Sequence, residues 1–228
     1  MKRFTLTVCV SVLFGAMVQP ALAGGLELPV KAPVGGVVVP YSWSGFYMGV
    51  NFGYNWGDAN LSSTAGSQNI NANGGLAGYT IGYNWQTGNW LWGLEGDIDG
   101  SWLKDTTVSA PLCAGGVGCE IKQTWLATTR GRIGWVISPR WLYYITGGGA
   151  YGDAKFTAPS GAGASGSSRA GWTVGTGFEW AYVNGWSFKV EYLYVDLGTK
   201  TCGVGSCAPS TDVGFTENIA RFGWNYRF

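Results

Sequence analysis

Glu95, Asp97 and Asp99 recur at a spacing of two, as do Arg130 and Arg132, and Lys189 and Glu191. Residues two apart leave a strand on the same side, so each set can converge on one surface. Carboxylates and cations gathered this way can do two kinds of chemistry. They can pair and fill a confined interior, or they can line a narrow path and select ions. Collected along the chain, the acids of this kind are Glu95, Asp97, Asp99, Glu179, Glu191 and Glu217. The bases are Lys122, Arg130, Arg132, Lys189, Arg221 and Arg227, equal in number, so an opposite charge is available to each. That balance matters because an ion removed from water without a partner costs roughly several kcal/mol.

Other reactive chemistry is scarce. The chain has no histidine, which excludes Ser–His–Asp and Cys–His catalysis and His-ligated zinc. Only Glu/Asp/Ser chemistry remains for an enzyme acting on lipid, and none is expected, nor any cofactor or metal. Gly147, Gly149 and Gly152 match a GxGxxG pattern. A Gly-rich loop follows instead of the helix a dinucleotide site needs, so the match carries no such site. Cys113 with Cys119, and Cys202 with Cys207, fall in two separate expected loops. In an oxidising compartment local pairing is one of three connectivities, cross-loop pairing and a four-thiolate metal site being the rivals.

The elements that would hold these charges announce themselves at the C-terminus. Phe222, Trp224, Tyr226 and Phe228 alternate with Arg221, Gly223, Asn225 and Arg227. A strand with rings on one face and ions on the other suits a closed barrel in lipid, rings outward and ions in the lumen. The pattern recurs in residues 43–56, 75–86, 90–103, 121–136, 170–183 and 185–199, with 141–156 as a further strand whose faces the Gly-rich middle obscures. Trp43, Trp56, Trp85, Trp90, Trp135, Trp141 and Trp186 sit at strand ends or turns, where barrels carry interfacial girdles.

Eight strands result: an all-β, eight-stranded antiparallel transmembrane up-and-down barrel. Short turns are expected at residues 87–89, 138–140 and 184–185, the last an Asn-Gly pair suited to a type I′ hairpin. Long outer loops are expected at 57–73, 104–120, 157–169 and 200–213. Long outer and short periplasmic connections alternate in such barrels, and the even strand count agrees. A soluble eight-stranded barrel would reverse the faces and strand the charges.

Residues 1–23 read as a secretory signal peptide: Lys2 and Arg3, an apolar core, then Ala21-Leu22-Ala23 with cleavage after Ala23. Residues 24–42, with Pro29, Pro33 and Pro40, read as a flexible periplasmic lead-in, and 43–228 as the barrel. Losing the leader changes the formal charge from +1 to +1 − 2 = −1, which gives no electrostatic case for nucleic acid. The location expected is the outer membrane.

Six short stretches carry a resemblance: residues 43–49 (WSGFYMG), 93–97 (GLEGD), 130–134 (RGRIG), 144–148 (YITGG), 191–198 (EYLYVDLG) and 221–228 (RFGWNYRF). In that order the chain resembles the small outer-membrane β-barrels of alphaproteobacteria, the RopB-type surface proteins. The resemblance implies an eight-stranded, porin-like barrel with a structural or surface role. It also implies that Phe228, Tyr226, Trp224 and Phe222 form the signal read by the barrel-assembly machinery. The cysteine-bearing loops depart from that pattern. The function expected is a monomeric surface barrel that supports the envelope, its lumen filled by paired charges and its partners outer-membrane lipid and the assembly machinery. A narrow channel and an adhesin acting on a host or cell-surface ligand through the loops are the alternatives.

Overall fold

A computed structural model describes residues 41–63, 66–107, 119–157, 165–202 and 211–228. Among these residues ten strands form one antiparallel sheet: β1 Gly45–Ser63, β2 Gly66–Thr87, β3 Trp90–Ser101, β4 Lys104–Thr107, β5 Cys119–Lys122, β6 Trp125–Ser138, β7 Trp141–Thr157, β8 Ser165–Ala181, β9 Trp186–Cys202 and β10 Thr211–Arg227. The sheet closes because β1 pairs with both β2 and β10, from Tyr47 opposite Arg227 to Ser63 opposite Thr211. β4 prolongs β3 and β5 leads into β6, so ten strands make eight staves. Closure leaves no unpaired edge, which a hydrocarbon surrounding requires of a sheet.

Ring-bearing faces point outward. Phe52 is 57% exposed while its neighbour Asn51 is 2% exposed, and the same alternation runs through β3, where Trp92 and Leu94 are outside and Glu95 and Asp97 are buried. Outward rings also touch across strands, as Trp224 does with Trp186 and Phe188. β7, unassignable from its Gly-rich middle, buries Leu142, Tyr144, Thr146 and Ala150 and turns Trp141, Tyr143, Ile145 and Tyr151 outward. The GxGxxG stretch lies within this strand. Asn184 and Gly185 have φ of 52° and 84°, the positive pair a type I′ turn demands.

Residues 57–73 do not form the long loop expected of them. β1 and β2 stay paired to Ser63 opposite Gly66, leaving only residues 64 and 65 between the strands. The stretch looks loop-like because its hydropathy is inverted. Ala59, Leu61, Ile70 and Ala72 face inward while Asp58, Asn60, Asn71 and Asn73 face out. Beyond the bilayer a barrel meets water, so the ordinary rule of apolar inside and polar outside returns. Parts of the other three expected outer loops are likewise strand, including Lys104–Thr107, Ser165 onward in β8 and Thr211 onward in β10.

Trp43 is not a girdle residue. It is 2% exposed and packs inside the periplasmic mouth with Leu91, Val136, Leu142, Tyr144 and Ala181. Gly45, with φ of 132°, lets the chain turn into the opening, and Trp43 N–H donates to Gln86 Oε1 at 2.7 Å. Tyr41 stacks edge-on against Trp43 and lies under the Arg227 guanidinium, 4.5 Å from its ring centre. Burial pushes the Tyr41 phenol up, against the opposing pull of Arg227.

Candidate functional site

The interior is layered. At its centre lie six buried acids, Glu95, Asp97, Asp99, Glu179, Glu191 and Glu217, and four buried bases, Arg130, Arg132, Lys189 and Arg221. β3 and β6 bring Glu95 directly opposite Arg130, and β9 and β10 bring Glu191 directly opposite Arg221. The four bases then reach across the lumen. Arg130 bonds Glu95 and lies 2.7 Å from Asp97 and 3.0 Å from Glu191. Arg221 reaches Glu191 at 2.6 Å, Asp97 at 3.0 Å and Asp99 at 3.2 Å. Lys189 meets Glu95 at 2.9 Å, and Arg132 spans Glu95 at 3.3 Å and Glu179 at 2.9 Å.

Neutral groups complete the layer. Tyr47 Oη donates to Glu95 at 2.7 Å and Tyr144 Oη to Glu191 at 2.9 Å. The Arg132 guanidinium lies 4.5 Å from the Tyr144 ring centre, an arrangement that stabilises a desolvated cation. Thr80 and Thr128 donate to Asp97, and Ser187 and Asn225 donate to Glu179. Small residues make room for these groups. A Cβ on Gly177 would lie 2.5 Å from Tyr144 Oη, and one on Gly82 would strike the Tyr47 ring.

Two of the expected charges are elsewhere and one behaves differently. Lys122 is exposed and points away from the lumen. Its stave breaks at Gln123 and Thr124, between β5 and β6, which reverses the alternation: Ile121 and Gln123 are buried up to the break, Leu126, Thr128 and Arg130 after it. Asp153 holds the break, accepting from Thr124 N–H at 2.8 Å, Thr124 Oγ1 at 2.6 Å and Trp125 N–H at 3.0 Å. Arg227 sits at the periplasmic rim and donates to Ser44 O at 3.0 Å. Glu217 is fully buried but has no ion pair among the described residues. It accepts from Asn55 Nδ2 and Gln123 Nε2, each at 3.0 Å. The centre therefore holds six acids to four bases, not equal numbers.

Apolar layers close both sides. On the outer side Leu61, Ile70, Leu103, Ile121, Leu197 and Phe215 belong to one buried cluster. On the periplasmic side Trp43, Leu91, Val136 and Leu142 belong to another. Arg169, unmarked by any strand pattern in the sequence, is buried on β8 and donates to Val213 O at 2.9 Å. Between the two layers the side chains of Glu95, Arg130, Lys189 and Arg221 have no exposed surface. Chemically the arrangement can hold charge and fix strand register; the acids are occupied by cations, hydroxyls and amides. Among the described residues no group of His, Cys, Asp and Glu could hold a metal ion. Of the paired-cysteine expectation, Cys113 and Cys207 lie outside the described residues, and Cys119 and Cys202 are described only in backbone, the first opening β5 and the second ending β9.

The outer membrane protein beta-barrel domain matches residues 10–228. The chain is 35% identical to the 31 kDa outer-membrane immunogenic protein of Brucella melitensis biotype 1, covering 87% of this chain and 89% of that one. It is 34% identical to the 22 kDa outer membrane protein of Rhizobium leguminosarum bv. viciae, covering 89% and 82%. Among solved structures it is similar to Neisserial surface protein A, with 17% identity, a TM-score of 0.44, and 81% of this chain and 98% of that one covered.

Proposed function

Because the chain belongs to the outer membrane protein beta-barrel family and is a surface barrel of the outer membrane, we propose that it supports the envelope as a closed structural barrel. The carrying observation is the ion-paired layer enclosed between two apolar layers. A path for ions needs continuous polar surface and exchangeable sites. This interior instead binds each central cation to two or more carboxylates, or to one carboxylate that is itself shared. Eight staves leave a bore that side chains fill. On the same reading, residues 1–23 leave after Ala23, residues 24–42 precede the barrel, and Phe222, Trp224, Tyr226 and Phe228 mark the last strand for the assembly machinery. The latter face outward along the closing seam with β1, which supports that role.

The test is a strain lacking the gene. It is expected to show lower inhibitory concentrations for detergent and for large apolar antibiotics, restored by the wild-type gene. A null strain as resistant as its parent contradicts the envelope role.

A further inference from the structure

The break at Gln123 and Thr124 has an effect on the outer surface. Had the alternation of β6 continued, Lys122 would face the lumen with Arg130 and Arg132. Turned outward, it stands directly between Lys104 on β4 and Lys155 on β7. All three side chains are exposed on the same outward face. Neighbouring strands lie about 4.8 Å apart, so the row spans about 10 Å. Like charges directly opposite one another destabilise a sheet, yet here an irregular break, clamped by Asp153, assembles three in register.

The row lies just beyond the outer ring girdle. Trp102, 66% exposed, is two residues before Lys104, and Tyr151, 48% exposed, is four before Lys155. Such rings sit at headgroup level. Nearby acids offset the row only in part, and none is paired with its central member, Lys122. Glu120 meets Lys104 at 3.5 Å in a pair exposed on both sides, the weak kind. Asp153 stands two residues from Lys155 and attracts it, while its oxygens are held by Thr124 and Trp125. Asp105, half-buried, alternates to the other face. Neither Lys122 nor Lys155 has an ion pair among the described residues. The adjoining connections, residues 108–118 and 158–164, contain no Asp or Glu at all.

We propose that Lys104, Lys122 and Lys155 form a binding row for the phosphate groups of a phosphorylated glycolipid in the outer leaflet. The occupant is a membrane lipid because the row borders the ring girdle and faces sideways from the barrel wall, where headgroups lie. This rests on the placement of the barrel in the outer membrane, not on its closed lumen, so either reading can fail without the other.

The test uses the full-length folded protein in phosphatidylcholine vesicles doped with bisphosphorylated lipid A, read by energy transfer from the barrel tryptophans to a dansyl-labelled lipid A. The variant K104Q/K122Q/K155Q is expected to lose affinity about tenfold or more, as three surface cations near an anionic headgroup should supply. The variant K104R/K122R/K155R should keep it, and Arg140→Gln, an exposed cation on the opposite, periplasmic turn between β6 and β7, should leave it unchanged. Dephosphorylated lipid A should bind the wild type as weakly as lipid A binds the glutamine variant. Unchanged affinity in the glutamine variant, equal loss with Arg140→Gln, or displacement of the lipid by millimolar inorganic phosphate would overturn the proposal. Heat-modifiable gel migration of each variant confirms folding, and a row that binds as proposed keeps its arginine variant both folded and bound.

Discussion

Glu95→Ala should lower the stability of the folded barrel by about 3–5 kcal/mol, the cost of removing one partner from a buried ion cluster. Glu95 accepts from Arg130, Arg132, Lys189 and Tyr47 at once. The three cations have no exposed side-chain surface from which to recruit water, Tyr47 is buried, and apolar layers stand above and below. Lys189 loses its bonded carboxylate altogether, because Glu95 is the acid it pairs with among the described residues. The comparison variant is Glu120→Ala, which breaks only the exposed pair with Lys104 and should cost about 1 kcal/mol or less. Urea titration of the compact, heat-modifiable form measures both. Similar midpoints for the two variants would mean that the central layer is wet and loosely held.

Trp224→Arg should block accumulation of folded protein in the outer membrane. Trp224 faces outward at 47% exposure, opposite Val50 on β1 and Phe188 on β9. A cation facing lipid costs about 2–4 kcal/mol at mid-depth and less toward the rim; Trp224 lies toward the rim, and the arginine would lose its ring contacts to Trp186 and Phe188 as well. The position is on the seam that closes the barrel, so the cost falls on the final pairing of β10 with β1. Trp224→Leu keeps an apolar face and should accumulate nearly as well as wild type. The fraction migrating as compact barrel in membrane extracts separates them. Equal amounts of the arginine and wild-type proteins would place this face away from lipid.

Much of this was readable in the chain because a barrel in lipid repeats one simple rule on every stave. Rings at alternate positions of β1, β3, β9 and β10 gave the faces, and the charges opposite them gave the interior. Three features escaped for physical reasons. The break at Gln123 depends on Asp153, whose carboxylate accepts from Thr124 and Trp125 across from another strand some distance along the chain, so local alternation misplaced Lys122. Residues 57–73 reverse their polarity because they leave the bilayer, and a reversed strand without rings looks like a loop. Trp43 has the composition of a girdle residue, but the turn at Gly45 sends it into the mouth. The apolar layers share this origin: they combine single residues from many staves, such as Leu61, Leu103 and Phe215, and no one segment displays them.

The charges also show what register contributes. Arg130 and Arg221 each meet carboxylates from two or more other strands. A slip of one residue on any of those staves would turn its ions toward lipid and its rings toward the lumen. The central layer thus specifies one alignment of the barrel as well as filling it.

Single-channel recording of the purified protein in planar bilayers tests the closed interior most directly. A lumen filled by the layer around Glu95, Arg130 and Arg221, and capped by Trp43 below and Phe215 above, should give no unitary current steps at any voltage the bilayer withstands. Reproducible steps whose ion selectivity changes in Glu95→Gln would contradict it, since the current would then run through the very residues assigned to the plug.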